Sequence, residues 1–166
     1  MTAKSFSPDK IRNVALLGHG GCGKTAIADA MLFNAKVTTR LGRTDQGTST
    51  FDFEPEEVEK GASIATAVAW LEYDGVKINV LDTPGDMNFM YDAYAALNGA
   101  DTAIIVVSAP DGVEVQTERF WRRAEEMQMP RVLFISKMDR ERADPDAVLS
   151  DIEEHLGVKP LPIQVP

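Results

Sequence analysis

Short apolar runs alternate with stretches of helical periodicity along most of the chain. Continuous apolar runs are typical of strands that are buried on both faces, and apolar residues three or four positions apart are typical of amphipathic helices. The runs predict five strands, over Asn13–Leu17, Ile64–Tyr73, Val76–Leu81, Ala103–Val107 and Val132–Ile135. The periodic stretches predict helices over 25–34, 89–99, 113–127 and 144–157, with a short one over 56–60.

Turn and capping residues separate these elements. Asp74 and Gly75 are typical of a two-residue β-hairpin turn, so the second and third strands are expected to be antiparallel. Asp144 is a good N-cap, and Gly99 and Gly157 are expected just after the ends of their helices. Strands that otherwise alternate with helices predict an α/β fold. Its sheet is mostly parallel with one antiparallel hairpin strand, and helices cover both faces.

Two segments lack a clear pattern. Residues 1–10 are polar, and we expect a flexible N-terminal arm before the first strand. Residues 35–61 are rich in Thr, Gly, Asp and Glu, and a loop of this length within a compact domain is usually functional or disordered. The remainder, 11–166, is predicted to be one domain, since 166 residues are enough for a single hydrophobic core.

Composition excludes several classes of function. The net charge of −9 argues against a direct nucleic-acid surface, which would need clustered Lys and Arg. A single cysteine, Cys22, excludes an internal disulfide and Cys-based zinc sites, and the two histidines lie far apart in sequence. No stretch is suited to export or to spanning a bilayer. We therefore expect a soluble cytoplasmic monomer with no membrane partner.

The chemistry begins in the segment Gly18-His19-Gly20-Gly21-Cys22-Gly23-Lys24-Thr25, which matches G-x-x-x-x-G-K-T between a predicted strand and a predicted helix. In this context backbone N–H groups and the helix N-terminus bind phosphate, and glycines allow close approach. The Lys side chain would reach the β- and γ-phosphates, and the Thr hydroxyl would bind Mg²⁺. The segment predicts a P-loop NTPase fold. Cys22 lies close to a helix N-terminus, which can lower a thiol pKa, but we favour a packing role.

Two further loops follow predicted strands and should lie at the same sheet edge, where ligands bind. Asp82 is placed to hold Mg²⁺ through a water, and the backbone N–H of Gly85 would contact a γ-phosphate. In the third loop, Asp139 can accept hydrogen bonds from N1–H and the amine of guanine, which adenine lacks, and the Lys137 stem would lie along the base. Together the loops predict a guanine nucleotide site.

The motifs G-H-x-x-x-G-K-T, K-G-x-S-I-x-T, D-T-P-G and S-K-M-D-R, in this order, resemble the GTPase domain of the translational GTPases. The closest resemblance is to elongation factor G and its bacterial paralogues, from about Ile11 to Pro166. It implies GTP or GDP with Mg²⁺ as cofactors, and a ribosome partner for the full-length protein. The nucleotide-binding residues that it implies are Gly18, His19, Gly20, Gly21, Cys22, Gly23, Lys24, Thr25, Ala26, Asp82, Thr83, Pro84, Gly85, Ser136, Lys137 and Asp139.

The resemblance also implies the metal-binding residues Thr25, Ser63 and Asp82, and a catalytic group of Lys24, Gly85 and Asp86. Three positions depart from the family pattern. Ser63 replaces a Thr, Ser136 replaces the Asn of N-K-x-D, and Asp86 replaces the His that orients the attacking water. Asp86 is also a good N-cap for the following helix. Because a carboxylate there stays ionised and repels phosphate, we predict slow intrinsic hydrolysis.

Two alternatives to a GTP hydrolase remain open. The first is a nucleotide-gated switch that hardly hydrolyses and signals through residues 35–62, which are expected to be mobile without GTP. The second is a P-loop ATPase, in which the third loop would be a coincidence. Residues 160–166 resemble the beginning of the insertion subdomain of elongation factor G. We therefore expect a GTP-binding domain that is truncated before that subdomain and before the last guanine-contacting loop.

Overall fold

A five-stranded sheet forms the centre of the protein in a computed structural model, which describes residues 5–164. The strands are β1 Ile11–Leu17, β2 Ala67–Tyr73, β3 Val76–Asp82, β4 Thr102–Ser108 and β5 Arg131–Ser136. The helices are α1 Lys24–Asn34, α2 Pro55–Lys60, α3 Met90–Asn98, α4 Val115–Glu126 and α5 Pro145–Leu156. Every predicted strand and helix is present, with bounds that differ by a few residues.

The strand order is β2-β3-β1-β4-β5. All neighbouring pairs are parallel except β2 and β3, which form the predicted antiparallel hairpin. Its turn residues Asp74 and Gly75 have φ values of 49° and 75°, the positive values that a tight hairpin turn of this kind requires. Because β1, β3, β4 and β5 are parallel, their carboxyl ends and the loops that follow them share one edge of the sheet.

Apolar clusters cover both faces of the sheet, as predicted. On one face α1 packs on β1 and β3, with Leu32, Leu71, Val80 and Val106 in the cluster. On the other face lie α3, α4 and α5. Their residues in the apolar cluster are Ala93, Leu97, Phe120, Trp121, Ala124, Val148, Ile152 and Leu156. The site-bearing loops therefore extend from a sheet that is held from both sides.

Strand β2 begins later than its apolar pattern predicts. The backbone N–H groups of Ile64 and Ala65 donate to the Glu57 carboxylate, and that of Thr66 donates to Asp92. These side-chain acceptors take the place of ladder partners, so the strand starts only at Ala67.

The end of α3 also differs from the prediction. Gly99 is its C-cap with a right-handed backbone, φ −97°, and does not adopt the expected left-handed cap conformation. Its N–H bonds to the carbonyl of Ala96, and the N–H of Ala100 bonds to that of Leu97, which suffices to end the helix. Gly157 does adopt the left-handed conformation, φ 67°, after α5.

The two unpatterned segments contain local structure. A 3₁₀ turn covers Pro8–Lys10, and the Phe6 ring packs edge-on against Trp70 with ring centroids 6.2 Å apart. In the long segment, a 3₁₀ turn over Thr44–Gln46 precedes α2. The mobility of both segments stays a prediction. Among the helices of residues 5–164, none is both long and apolar enough to cross a membrane.

Candidate functional site

The glycine loop of residues 18–25 connects β1 to α1. Gly18 and Gly23 have φ values of 146° and 102°, which only glycine adopts freely. The Lys24 ammonium is buried and donates to the carbonyls of Gly18, at 3.1 Å, and His19, at 2.9 Å. An ammonium has three N–H groups, and the third partner of Lys24 is Cys22 Sγ at 4.0 Å, a weak acceptor that an anion can replace. The loop is therefore already folded around the Lys24 ammonium, which can donate a hydrogen bond to a bound anion.

The three residues predicted to bind the metal come together beside this loop. The Thr25 hydroxyl, at the start of α1, donates to Asp82 Oδ2 at 2.6 Å. Ser63 lies in the segment before β2, and its Oγ is 3.3 Å from Thr25 Oγ1. Hard oxygen ligands of this type suit Mg²⁺, and Asp82 Oδ1 is buried with no hydrogen-bond partner in the structure. This donor set fits the predicted ion.

Buried negative charge accumulates around Asp82. Burial raises the pKa of Asp82 to about 7, against the opposing effects of the Thr25 hydrogen bond and of Lys24. The carboxylates of Asp52 and Asp29 raise it further. Both of these side chains also have a buried oxygen without a hydrogen-bond partner. A bound cation would neutralise this charge, and the cluster thus favours an ion at this position.

The loop after β3 lies directly against the glycine loop. A Cβ at Gly85 would lie 2.4 Å from Lys24 Nζ and 2.7 Å from the Gly20 nitrogen, so only glycine fits there. Thr83 is fully buried and its hydroxyl donates to the Leu16 carbonyl at 2.6 Å. The Thr83 side chain thus joins β3 to β1, and the binding of nucleotide by Thr83 stays a prediction. Pro84 is buried in the same turn.

Asp86 caps the next element, as its alternative role predicts. Its Oδ1 accepts a hydrogen bond from the Asn88 N–H at 2.8 Å. The capped element is a 3₁₀ turn, Met87–Phe89, which leads into α3, and not the α-helix itself. The Asp86 side chain is exposed and also lines the cavity that contains Lys24. Asp86 can therefore cap this turn and also lie close to the glycine loop.

Ser136 joins the third loop to the first. Its buried hydroxyl donates to the Cys22 carbonyl at 2.6 Å and lies 3.3 Å from the Val107 carbonyl. The Ser136 side chain therefore tethers the glycine loop to the end of β5. The role of Ser136 in nucleotide binding stays a prediction. Cys22 itself is 2% exposed, and burial is the largest effect that raises the pKa of its thiol, in agreement with a packing role.

The other two residues of the third loop face outwards. Lys137 has a left-handed backbone, φ 57°, and its Nζ is 3.4 Å from Asp111 Oδ2. Asp139 has an exposed side chain whose only described ionic neighbour is Arg140, at 4.0 Å. Its carboxylate oxygens are therefore accessible to a ligand. Lys137 lines a separate cavity of about 340 Å³ on the side of Asp111.

A cavity of about 710 Å³ lies over the glycine loop. Most of the predicted phosphate- and metal-binding residues line it: His19, Gly20, Gly21, Gly23, Lys24, Thr25, Ala26, Ser63, Gly85 and Asp86. Gly18, Cys22, Asp82, Thr83 and Pro84 do not line it and lie behind its wall. The structure thus brings the first two loops and Ser63 to one cavity, and leaves the third loop at a neighbouring surface.

Sequence reasoning missed the acidic residues that hold the long segment in place. Asp29 Oδ1, on α1, accepts a hydrogen bond from the Thr50 N–H at 3.0 Å. Asp52 and Glu57 are buried within the segment itself. Acidic residues in a polar stretch look like solvated surface, so only the helical position of Asp29, beside Ala28 and one turn before Leu32, indicated burial.

The comparisons with known proteins agree with this geometry. Residues 9–163 match the family model described as the elongation factor Tu GTP binding domain. A crystal structure of a protein from Thermus thermophilus superposes with a TM-score of 0.85 at 40% identity, over 89% of this chain and 22% of that one.

Similar proteins carry names from translation. An elongation factor G-like protein of Mycobacterium tuberculosis is 39% identical over 96% of this chain, and an elongation factor G of Salinibacter ruber is 37% identical over 99%. A mitochondrial ribosome-releasing factor 2 of Anopheles gambiae is 36% identical over 98%. The chain spans only 22% to 23% of the length of these relatives. It belongs to the elongation factor Tu GTP-binding domain family, as a translational GTPase domain of the elongation-factor-G-like type.

Proposed function

We propose that this chain binds GTP and GDP with Mg²⁺ and hydrolyses GTP as part of a translation factor that acts on the ribosome in the cytoplasm. The observation that carries the proposal is the convergence of Thr25, Asp82 and Ser63 beside the Lys24 loop. The name of one relative, the mitochondrial ribosome-releasing factor 2 of Anopheles gambiae, supports the ribosome as the partner.

The residues of the chain have separate tasks in this proposal. Backbone N–H groups of the glycine loop and the Lys24 ammonium bind the β- and γ-phosphates. Gly85 offers its N–H to the γ-phosphate from the opposite side. Thr25, Ser63 and Asp82 would hold Mg²⁺, which neutralises charge on the phosphate oxygens. In the reaction, water forms a bond to the γ-phosphorus, the bond to the β–γ bridging oxygen breaks, and GDP leaves.

Calorimetry with GDP and with ADP, each with Mg²⁺, tests the base specificity. We expect GDP to bind and ADP to give no signal, because only guanine offers two donors to Asp139. The variant Asp139→Asn should lower GDP affinity roughly 10- to 100-fold, since hydrogen bonds to a charged acceptor contribute about 1.5–3 kcal/mol. Glu141→Gln, which removes an exposed carboxylate of the same loop, is the matched control. Equal binding of ADP would favour the ATPase alternative, and no binding of either would contradict the proposal.

A switch that hardly hydrolyses GTP is the second candidate, and the carboxylate of Asp86 favours it. We expect Asp86→His to raise ribosome-stimulated phosphate release from the full-length protein by about tenfold or more, because a positioned imidazole can take up the proton of the attacking water. Asp86→Asn keeps a good capping side chain but removes its charge, and it separates repulsion of phosphate from the missing imidazole. The same rate in wild type and Asp86→His would count against this explanation of slow hydrolysis.

A further inference from the structure

Glu57 has a fully buried carboxylate in the segment that leads to Ser63. Its Oε2 accepts a hydrogen bond from the Glu54 N–H at 3.2 Å. Its Oε1 accepts two more, from Ile64 N–H at 2.9 Å and Ala65 N–H at 3.2 Å. No Lys, Arg or His of residues 5–164 forms an ion pair with Glu57 in the structure. Backbone N–H groups alone therefore satisfy both oxygens of this buried side chain.

These contacts fold the chain back on α2 at the point where it reaches the site. Gly61 ends α2 in a left-handed conformation, φ 60°, and Ala62 N–H bonds to the backbone carbonyl of Glu57 at 3.3 Å. Residues 61–65 therefore form a short loop that is held by hydrogen bonds to Glu57. Ser63 lies inside this short loop, with bonds to Glu57 on both sides of it.

Glu57 does more than cap its own helix. In a capping box, the side chain at N3 bonds to the backbone of the N-cap residue, here Glu54. That function uses only Oε2. The bonds of Oε1 go to Ile64 and Ala65, which lie outside the helix and immediately follow Ser63. They fix the main chain next to the hydroxyl that lies 3.3 Å from Thr25 Oγ1.

We propose that Glu57 is a positioning residue, which sets the Ser63 hydroxyl at the ion site and so favours the GTP-bound state over the GDP-bound state. This inference rests on the proposed function. Contacts of such a segment with the ion depend on the γ-phosphate and are released after hydrolysis. A residue that places Ser63 must therefore contribute to GTP affinity and hardly at all to GDP affinity. A residue that only stabilises the fold would affect both.

The test is Glu57→Gln, with binding of GDP and of a non-hydrolysable GTP analogue measured by calorimetry in Mg²⁺. A side-chain amide has one acceptor oxygen, so at least one of the three backbone donors loses its partner in either orientation. We expect affinity for the analogue to fall roughly tenfold and GDP affinity to stay within about twofold. Glu57→Ala should give a larger loss for the analogue. Glu59→Gln, an exposed carboxylate on the same helix, is the control.

Hydrogen exchange provides a readout that does not depend on nucleotide turnover. The amides of Ile64 and Ala65 should exchange faster in Glu57→Ala, which has no acceptor, than in Glu59→Gln. Equal losses for GDP and the analogue, or no loss for either, would overturn the role of Glu57 while leaving the GTPase assignment intact. Failure of the wild-type chain to bind either nucleotide would overturn the assignment together with the inference.

Discussion

Alanine in place of Gly18 is expected to destabilise the nucleotide-free domain by about 3–5 kcal/mol. Two effects add at this position. The φ of 146° is one that residues with a Cβ rarely adopt, and the new Cβ would lie 2.5 Å from the Val106 carbonyl oxygen and 2.9 Å from Cys22 Sγ. The carbonyl belongs to β4 in the centre of the sheet and cannot move away without breaking the core. Urea unfolding in EDTA measures the loss.

Gly75→Ala is the matched control for this substitution. Gly75 also has a positive φ, 75°, but no atom lies within 4 Å of the position of its Cβ. The hairpin variant should therefore lose only about 1–2 kcal/mol, the cost of the backbone conformation alone. If both variants lost the same amount, close contact would not be the reason for glycine at position 18.

The second large effect concerns the pH dependence of stability without metal. Asp82 has a folded-state pKa of about 7, against an ordinary value of 3.8, so the folded domain binds more protons than the unfolded chain between these values. Stability therefore falls as pH rises through this window, and the penalty is fully present above about pH 7. A difference of about three pKa units corresponds to roughly 4 kcal/mol.

Asp82→Asn isolates this contribution, because the amide resembles the protonated acid in shape and charge. In EDTA, we expect the variant to gain stability relative to wild type as pH rises from 4 to 8, and to show no such gain below pH 4. Chemical denaturation at several pH values gives the difference. Thr25→Ser, which keeps the hydroxyl, controls for disturbance of the hydrogen bond to Asp82. A wild-type to Asn difference that is constant across this range would contradict the buried charge.

Much of the fold follows from local signals. The apolar runs, the Asp74-Gly75 turn and the caps of α5 determine the elements, and the parallel order brings the loops after β1, β3 and β5 to one edge. The glycine loop could be predicted because its glycines permit the local backbone conformation and Lys24 bonds to carbonyls of the same loop. In these places the sequence pattern and the tertiary structure agree.

The remaining features depend on contacts between residues that are distant in sequence. Nothing near Ser136 indicates that its hydroxyl bonds to the Cys22 carbonyl, 114 residues away. Thr83 belongs to a recognisable motif, yet its hydroxyl donates a hydrogen bond to the Leu16 carbonyl in the neighbouring strand β1. Glu57 looks like a solvated acid on a short helix, and only the return of the chain at Gly61 reveals why it is buried.

The antiparallel strand β2 has a mechanical consequence. Each parallel strand ends at the site, so the loop that follows it lies there. Strand β2 runs in the opposite direction, so the segment that precedes it lies at the site instead. Its first residue, Ala67, pairs with Asp82, and β2 is an edge strand with only β3 beside it. A pull on Ser63 therefore acts first on the bonds of residues 64–66 to Glu57 and Asp92, and then on the pair of Ala67 and Asp82, where β2 would begin to separate from β3. Release of the long segment would therefore also loosen the ion site, because Asp82 pairs with the first residue of β2.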